Sequence, residues 1–275
     1  MGSIISSYIF PHPPVLIPEI GKGDENNAIL TLDSCRKAAG EIKLDNPTTI
    51  IITTPHGPYF QDYLYLSTNR NLSGNFAKFG QKDIKFEFKN NLELLDKIIY
   101  NANKEGIDSG GLDKNTLDKY GLSSELDHGA LVPLYFINKE IQDFSVVHIS
   151  ISGFTLDMLH RFGKCISSAI KACDERVVFV ASGDLSHRVN DNSPYGSSPS
   201  GSKFDNLLVE SIRASRYNDL LNIDEKLCED AAECGLRSFV IMFGALEDSG
   251  FKPQVYSYEA PFGIGYCVAR FGLIE

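Results

Sequence analysis

The chain has 275 residues, with 26 Lys plus Arg against 36 Asp plus Glu and a formal net charge of −10. That balance, without a basic run anywhere, excludes nucleic acid and anionic membrane surfaces as partners on electrostatic grounds. An apolar share of 43% and a charged share of 23% exclude a disordered or fibrous chain, and six cysteines without a CxxC pair exclude a zinc ribbon or a small disulfide scaffold. No apolar run approaches the roughly 20 residues that a membrane span needs, and the start of the chain has no basic leader segment. A cytoplasmic protein with one domain over residues 1–275 is expected.

The first apolar run, SSYIF (6–10), reads as a strand and stops at Pro11-His12-Pro13-Pro14. Residues 27–43 carry Ile29, Leu32, Ala39 and Ile42 near helical spacing. TTIIITT (48–54) is a second strand and stops at Pro55-His56-Gly57-Pro58. YLYLS (63–67) and IKFEF (84–88) alternate like strands and are expected to pair as an edge hairpin; 92–104 is a helix. Asp127-His128-Gly129 precedes an apolar segment that Asp127 is placed to cap. FSVVHISI (144–151) is a third strand, 154–173 a helix, and VVFVA (177–181) a fourth strand that breaks at SGDLSHR (182–188). The Ser-, Gly-, Pro- and Asn-rich stretch 190–202 is expected to be a loop, 233–247 a helix, and 255–258 with 265–271 a closing strand pair.

Short runs rich in Ile and Val, separated by helix-length amphipathic segments, predict an α/β fold. The central sheet is mainly parallel, flanked by helices on both faces, with additional antiparallel edge strands. Ligands of such sheets bind beyond the carboxyl ends of the strands. His12, His56 and the 182–187 cluster then share one rim.

Each candidate has a bland reading beside the chemical one. His12 and His56 are turn histidines on the first and metal or substrate ligands on the second; two Pro-His-[Pro/Gly]-Pro elements, each after an apolar strand, favour the second. Glu233 either complements a helix amino terminus or supplies an inward carboxylate. Two imidazoles and a carboxylate make the facial triad of non-haem Fe(II) sites, so His12, His56 and Glu233 are the candidate metal ligands. His187 and His128 are candidate acid and base, because imidazole titrates near neutrality. Asp184, Ser182, Asp127 and Cys234 are candidates for contacting substrate or supporting these groups; Ser182 and Gly183 are small enough to permit the turn and leave space for a ligand. His148, inside VVHIS, is expected to be a hydrogen-bonded core residue, and His160 a surface one. A serine hydrolase built from Ser182, Asp184, Ser186 and His187 is rejected, because seven adjacent residues do not provide triad geometry.

The ordered elements PHPP, TPHGP, DHGALVPL, SGDLSH and ECGLRSFVIMFGAL resemble those of the class III extradiol ring-cleavage dioxygenases of the LigB type, over nearly the whole chain. The resemblance implies iron on His12, His56 and Glu233, His187 as acid or base beside the substrate, and His128 binding substrate or oxygen. Asp184 and Cys234-Gly-Leu-Arg237 instead resemble elements of the Memo proteins. The combination is similar to the LigB-like proteins grouped with Memo and radical-SAM partners in the AmmeMemoRadiSam system.

Fe(II), a small catecholic substrate and dioxygen are therefore expected. The alternatives are a Memo-like metal-binding protein that does not cleave rings, and a zinc-dependent hydrolase in the same pocket. Memo or radical-SAM proteins, or further copies of the chain in a homo-oligomer, are the macromolecular partners left open.

Overall fold

A computed structural model describes residues 1–273. The strands are β1 (Ser3–Phe10), β2 (Thr49–Thr54), β3 (Leu64–Tyr65), β4 (Asn71–Phe76), β5 (Gln81–Asn90), β6 (Ser109–Gly110), β7 (Ser145–Ser150), β8 (Arg176–Ser182), β9 (Lys252–Glu259) and β10 (Tyr266–Gly272). The helices are α1 (Pro18–Gly21), α2 (Ile29–Asp45), α3 (Leu92–Lys104), α4 (Lys114–Lys119), α5 (His128–Glu140), α6 (Leu156–Lys171), α7 (Pro199–Arg213), α8 (Glu225–Ala231) and α9 (Leu236–Leu246).

Eight strands form one sheet in the order β4-β5-β7-β2-β8-β1-β10-β9. The five from β5 to β1 run parallel, while β4, β10 and β9 add antiparallel edges. The apolar runs need both faces covered, and both are. In β2, Ile50 and Ile52 enter one core layer and Ile51 the other; in β8, Val178 and Val180 oppose Val177, Phe179 and Ala181. Leu32 of α2 and Leu131 of α5 pack on the first layer, while α3, α6, α7 and α9 pack on the second. Burying each such side chain contributes roughly 1.5–3 kcal/mol against exposure. Among the described residues, no helix is long and apolar enough to cross a membrane.

Three expectations are corrected. The antiparallel edge hairpin is β4 with β5; residues 63–67 instead contribute β3, which pairs parallel with β6 in a separate two-stranded sheet. The turn lies at 77–80, where Gly80 takes φ 78° and the Asn75 side chain accepts from the Ala77 amide at 2.8 Å. The irregular stretch ends earlier than 202. Ser198 caps α7 by accepting from the Ser200 amide at 3.2 Å, and Pro199 occupies the first helical turn, where its missing N–H costs nothing.

His160 is buried, at 7% exposure, because α6 and α9 pack almost backbone to backbone. A Cβ on Gly163 would lie 2.0 Å from the Ile241 carbonyl oxygen, and one on Gly244 would lie 1.9 Å from that of His160.

The order β2-β8-β1 places the chemistry. Phe10 pairs with Ser182, and Ala181 with both Ile9 and Thr53, so three strands end side by side. His12 and His56 each follow two residues beyond their strand, and β8 ends between them.

Candidate active site

Prolines at 11, 13 and 14 remove amides that would prolong the β1 ladder and leave the His12 amide free to turn inward. That amide donates to Asp184 Oδ1 at 2.9 Å. The imidazole is 2% exposed, and its Nδ1 meets Ser182 Oγ at 2.9 Å. Ser182 Oγ donates its one proton to the Gly129 carbonyl at 2.5 Å. The hydroxyl must therefore accept from His12 Nδ1–H, which leaves Nε2 as the nitrogen with a free lone pair.

That lone pair faces His56 Nε2 at 3.0 Å, Cys234 Sγ at 3.7 Å and Asp184 Oδ2 at 3.9 Å. Two imidazole nitrogens so close require a proton or a cation between them. His128, first residue of α5, stacks on His56 with centroids 4.2 Å apart and 22° between planes. One ligand atom from each of His12, His56 and His128 lies within 4.8 Å of the others. Burial, then mutual repulsion with the other histidines, pushes His12 well below the usual imidazole range and His56 down to about 4. Burial also lowers His128. Neutral imidazoles converging from three segments fit a transition-metal cation, whose nitrogen ligands must be unprotonated.

Asp127 anchors this side. Its carboxylate caps α5 at the Ala130 amide (3.3 Å), accepts the Thr54 hydroxyl at 2.6 Å and meets His148 Nε2 at 3.3 Å. Burial would raise its pKa, but the His148 hydrogen bond and charge and the Thr54 hydrogen bond outweigh that and hold it below the carboxylate range. Thr54 Oγ1 in turn accepts from the His56 amide at 3.3 Å. His148 is fully buried and hydrogen-bonded in the core, where its strand position puts it. Gly129 is required here, since a Cβ would lie 2.4 Å from Thr54 Oγ1.

On the other side, SGDLSHR passes directly under the start of α9. A Cβ on Gly183 would lie 2.1 Å from Gly235 Cα, so the two segments meet through glycine. Burial pushes Asp184 up, against the His12 amide and the charge of His187. Its amide donates to Cys234 Sγ at 3.4 Å, and the thiol is pushed up by burial and by the neighbouring carboxylates. His187 Nδ1 donates to the Ala232 carbonyl, whose residue holds a left-handed φ of 52°, and Nε2 lies 3.9 Å from Asp184 Oδ2. Glu233 sits just before α9 with Oε2 accepting from the Leu236 amide at 2.7 Å, and burial raises it to about 7. The three-imidazole group thus contains His12 and His56 with His128, while Glu233 is engaged at the helix terminus.

Asp205 was not singled out from the sequence, and it clamps the His187 segment. Fully buried on α7, it accepts from the Ser186 amide at 2.8 Å and from the Tyr258 hydroxyl at 2.8 Å. Its signal was legible, because Phe204, Leu208, Val209 and Ile212 form an inward stripe of α7 and Asp205 lies within it. Two further aromatics flank the imidazoles edge-on: Phe79 against His128 at 5.4 Å and Tyr195 against His187 at 5.4 Å.

The family model described as the catalytic LigB subunit of aromatic ring-opening dioxygenase matches residues 6–269. The chain belongs to this LigB family. Protein CA_C1420 of Clostridium acetobutylicum is 41% identical over 268 residues, covering 98% of this chain and 57% of that protein. The 2-aminophenol 1,6-dioxygenase beta subunit of a Pseudomonas species is 22% identical over 304 aligned positions, covering 100% of this chain and 95% of that subunit. The 3,4-dihydroxyphenylacetate 2,3-dioxygenase of Escherichia coli is 25% identical over 185 residues, 64% of each. The LigB chain therefore spans less than two thirds of the first and third of these relatives. Among solved structures, the uncharacterized protein JW3007 of Escherichia coli K12 has a TM-score of 0.59 at 13% identity, covering 98% of this chain and all of that one. At that identity the likeness speaks for the fold alone.

Proposed function

We propose that this LigB-family chain is a non-haem Fe(II)-dependent dioxygenase that opens a small aromatic ring bearing two adjacent oxygen or nitrogen substituents. The observation that carries the reading is the convergence of three neutral imidazoles on the rim of the sheet, with the free nitrogen of a fourth, His187, facing the same Asp184. The residue pattern and the imidazole cluster both support His12 and His56 as ligands. His128 would be the third donor by proximity, and Glu233 would supply an anionic ligand if its carboxylate left the Leu236 amide. Bound iron supplies the redox and Lewis-acid chemistry of the reaction.

The chain's own groups do the rest. With Nδ1–H committed to the Ala232 carbonyl, His187 presents an unprotonated Nε2, the correct atom to take a proton from a substrate hydroxyl. Asp184, raised by burial and tied to the His12 amide, lies beside that nitrogen and steadies the imidazolium as it forms. Phe79 and Tyr195 give a planar ring apolar walls.

The test is oxygen uptake by anaerobically iron-loaded protein offered catechols and 2-aminophenols, with absorbance of the ring-opened product. One dioxygen per ring opened is expected, with His187→Gln losing turnover while keeping iron. Full iron content without uptake on any compound would overturn the proposal.

One observation favours a second reading. Cys234 Sγ, at 3.7 Å from His12 Nε2, adds a soft donor that suits a Memo-like metal-binding protein without ring cleavage. On that reading metal binds, His12→Ala loses it, no oxygen is consumed, and the partners are Memo or radical-SAM proteins. A zinc hydrolase in the same pocket would show zinc and no oxygen uptake.

A further inference from the structure

The motif DHGALVPL carries a feature that the site chemistry above leaves unexplained: a proline inside α5, at Pro133. Proline in a helix interior costs about 3 kcal/mol, since it has no N–H to give to the carbonyl four residues earlier. For Pro133 that carbonyl belongs to Gly129. The Gly129 carbonyl is the one that accepts the Ser182 hydroxyl, at 2.5 Å, in an interior where Ser182 is fully buried. Ser182 has one proton, and giving it to Gly129 makes its oxygen the acceptor for His12 Nδ1–H at 2.9 Å.

We propose that Pro133 is a positioning residue for His12. By withholding a helical donor from the Gly129 carbonyl, it commits the Ser182 hydroxyl to that carbonyl, and so fixes His12 in the tautomer whose Nε2 lone pair faces the pocket.

The relay runs Pro133, Gly129 carbonyl, Ser182 hydroxyl, His12 ring, across three segments that the fold joins at one point. Each link has a single chemical sense. A carbonyl only accepts, a serine that donates its proton can then only accept from a ring nitrogen, and a neutral imidazole protonated at Nδ1 is unprotonated at Nε2. An alanine at 133 restores an amide aimed at the same carbonyl. The hydroxyl, partly released, then rotates and donates to His12 Nδ1, which moves the ring proton to Nε2, the atom that must be free. Hydrogen-bond partners of ligating histidines typically change metal affinity 10–100-fold when removed.

The inference rests on His12 serving as a ligand, but its first readout needs neither metal nor turnover. Histidine-labelled, metal-free wild type is expected to show the His12 ring protonated at Nδ1 by ¹⁵N NMR, and Pro133→Ala a mixture or the Nε2–H form. The same variant is expected to melt at or above the wild-type temperature, as a mended helix should, while binding Fe(II) about tenfold or more weakly. Stability and affinity moving in opposite directions is the signature, because a merely structural proline would move them together or leave affinity alone. Ser182→Ala should reproduce the tautomer change, with Pro133 intact. An unchanged tautomer and unchanged Fe(II) affinity in Pro133→Ala would overturn the proposal. Loss of both stability and affinity would overturn it as well, by reducing Pro133 to a packing residue. If wild type opens no ring on any substrate, the enzymatic reading fails while the tautomer result still decides this one.

Discussion

The two halves of the site are built on opposite principles. On the β1, β2 and α5 side, imidazole rings that burial keeps from taking up charge face one another, His12 Nε2 to His56 Nε2 at 3.0 Å. On the β8 and α9 side, groups of acidic or basic character are each tied to backbone: Asp184 to the His12 amide, His187 to the Ala232 carbonyl, Glu233 to the Leu236 amide. The facing nitrogens of the first half are close enough to require a proton or a cation between them. The second is already satisfied by backbone partners. The division teaches why the rim needs both the close histidine cluster and the glycine contact at Gly183 and Gly235, which packs the two segments of the satisfied half against each other.

Removing the open half's anchor should have the largest effect. His12→Ala is expected to abolish stoichiometric metal binding while circular dichroism and melting show an intact fold; retained metal by elemental analysis would break the distinction. Wedging apart the two segments of the satisfied half should cost less. Gly183→Ala places a methyl 2.1 Å from Gly235 Cα, so a loss of about 1–3 kcal/mol in denaturant melts is expected, together with weaker substrate binding at unchanged metal content.

The last expected effect lies in the satisfied half and depends on pH. Burial raises Asp205 from its ordinary 3.8 to about 7, so between those values the folded chain holds a proton that the unfolded chain has lost. Its stabilising contribution is complete below about pH 4 and is lost as pH rises through about 7, by up to roughly 4 kcal/mol on the linkage relation. Asp205→Asn removes that dependence. Relative to wild type, the variant should therefore fare better at pH 8 than at pH 5 in melting temperature; a difference constant across that range would show the carboxyl to be ionised throughout.

Most of the sheet was legible because burial on both faces forces apolar runs, and strands ending at Pro-His or Ser-Gly announce the rim by chemistry rather than by length. The expected helix 92–104 coincides with α3, whose Asn91 cap gives it a sharp start. The edge hairpin was misread because NLSGNF has only three inward residues among polar ones, and a strand at the sheet edge needs no stronger pattern. His160 was misread because its burial depends on how closely Gly163 and Gly244 let two helices approach, a property of the pair and not of either segment. At the site, residue types and order announced His12, His56, His128 and His187. They could not announce which nitrogen each ring presents or where Glu233 turns, because both follow from partners far away in the chain. Ser182 acts on His12 from 170 positions away, and Asp205 on the His187 segment through Ser186 from 19.

The central claim is that the converging imidazoles hold the metal. It is tested most directly by crystals of the protein grown with Fe(II) under anaerobic conditions, with anomalous scattering recorded at the iron edge. Iron density bounded by His12, His56 and His128, with Glu233 either still on the Leu236 amide or swung in to join them, is the expected result. Iron bound elsewhere on the chain, with His12 and His56 still hydrogen-bonded to each other, would contradict it.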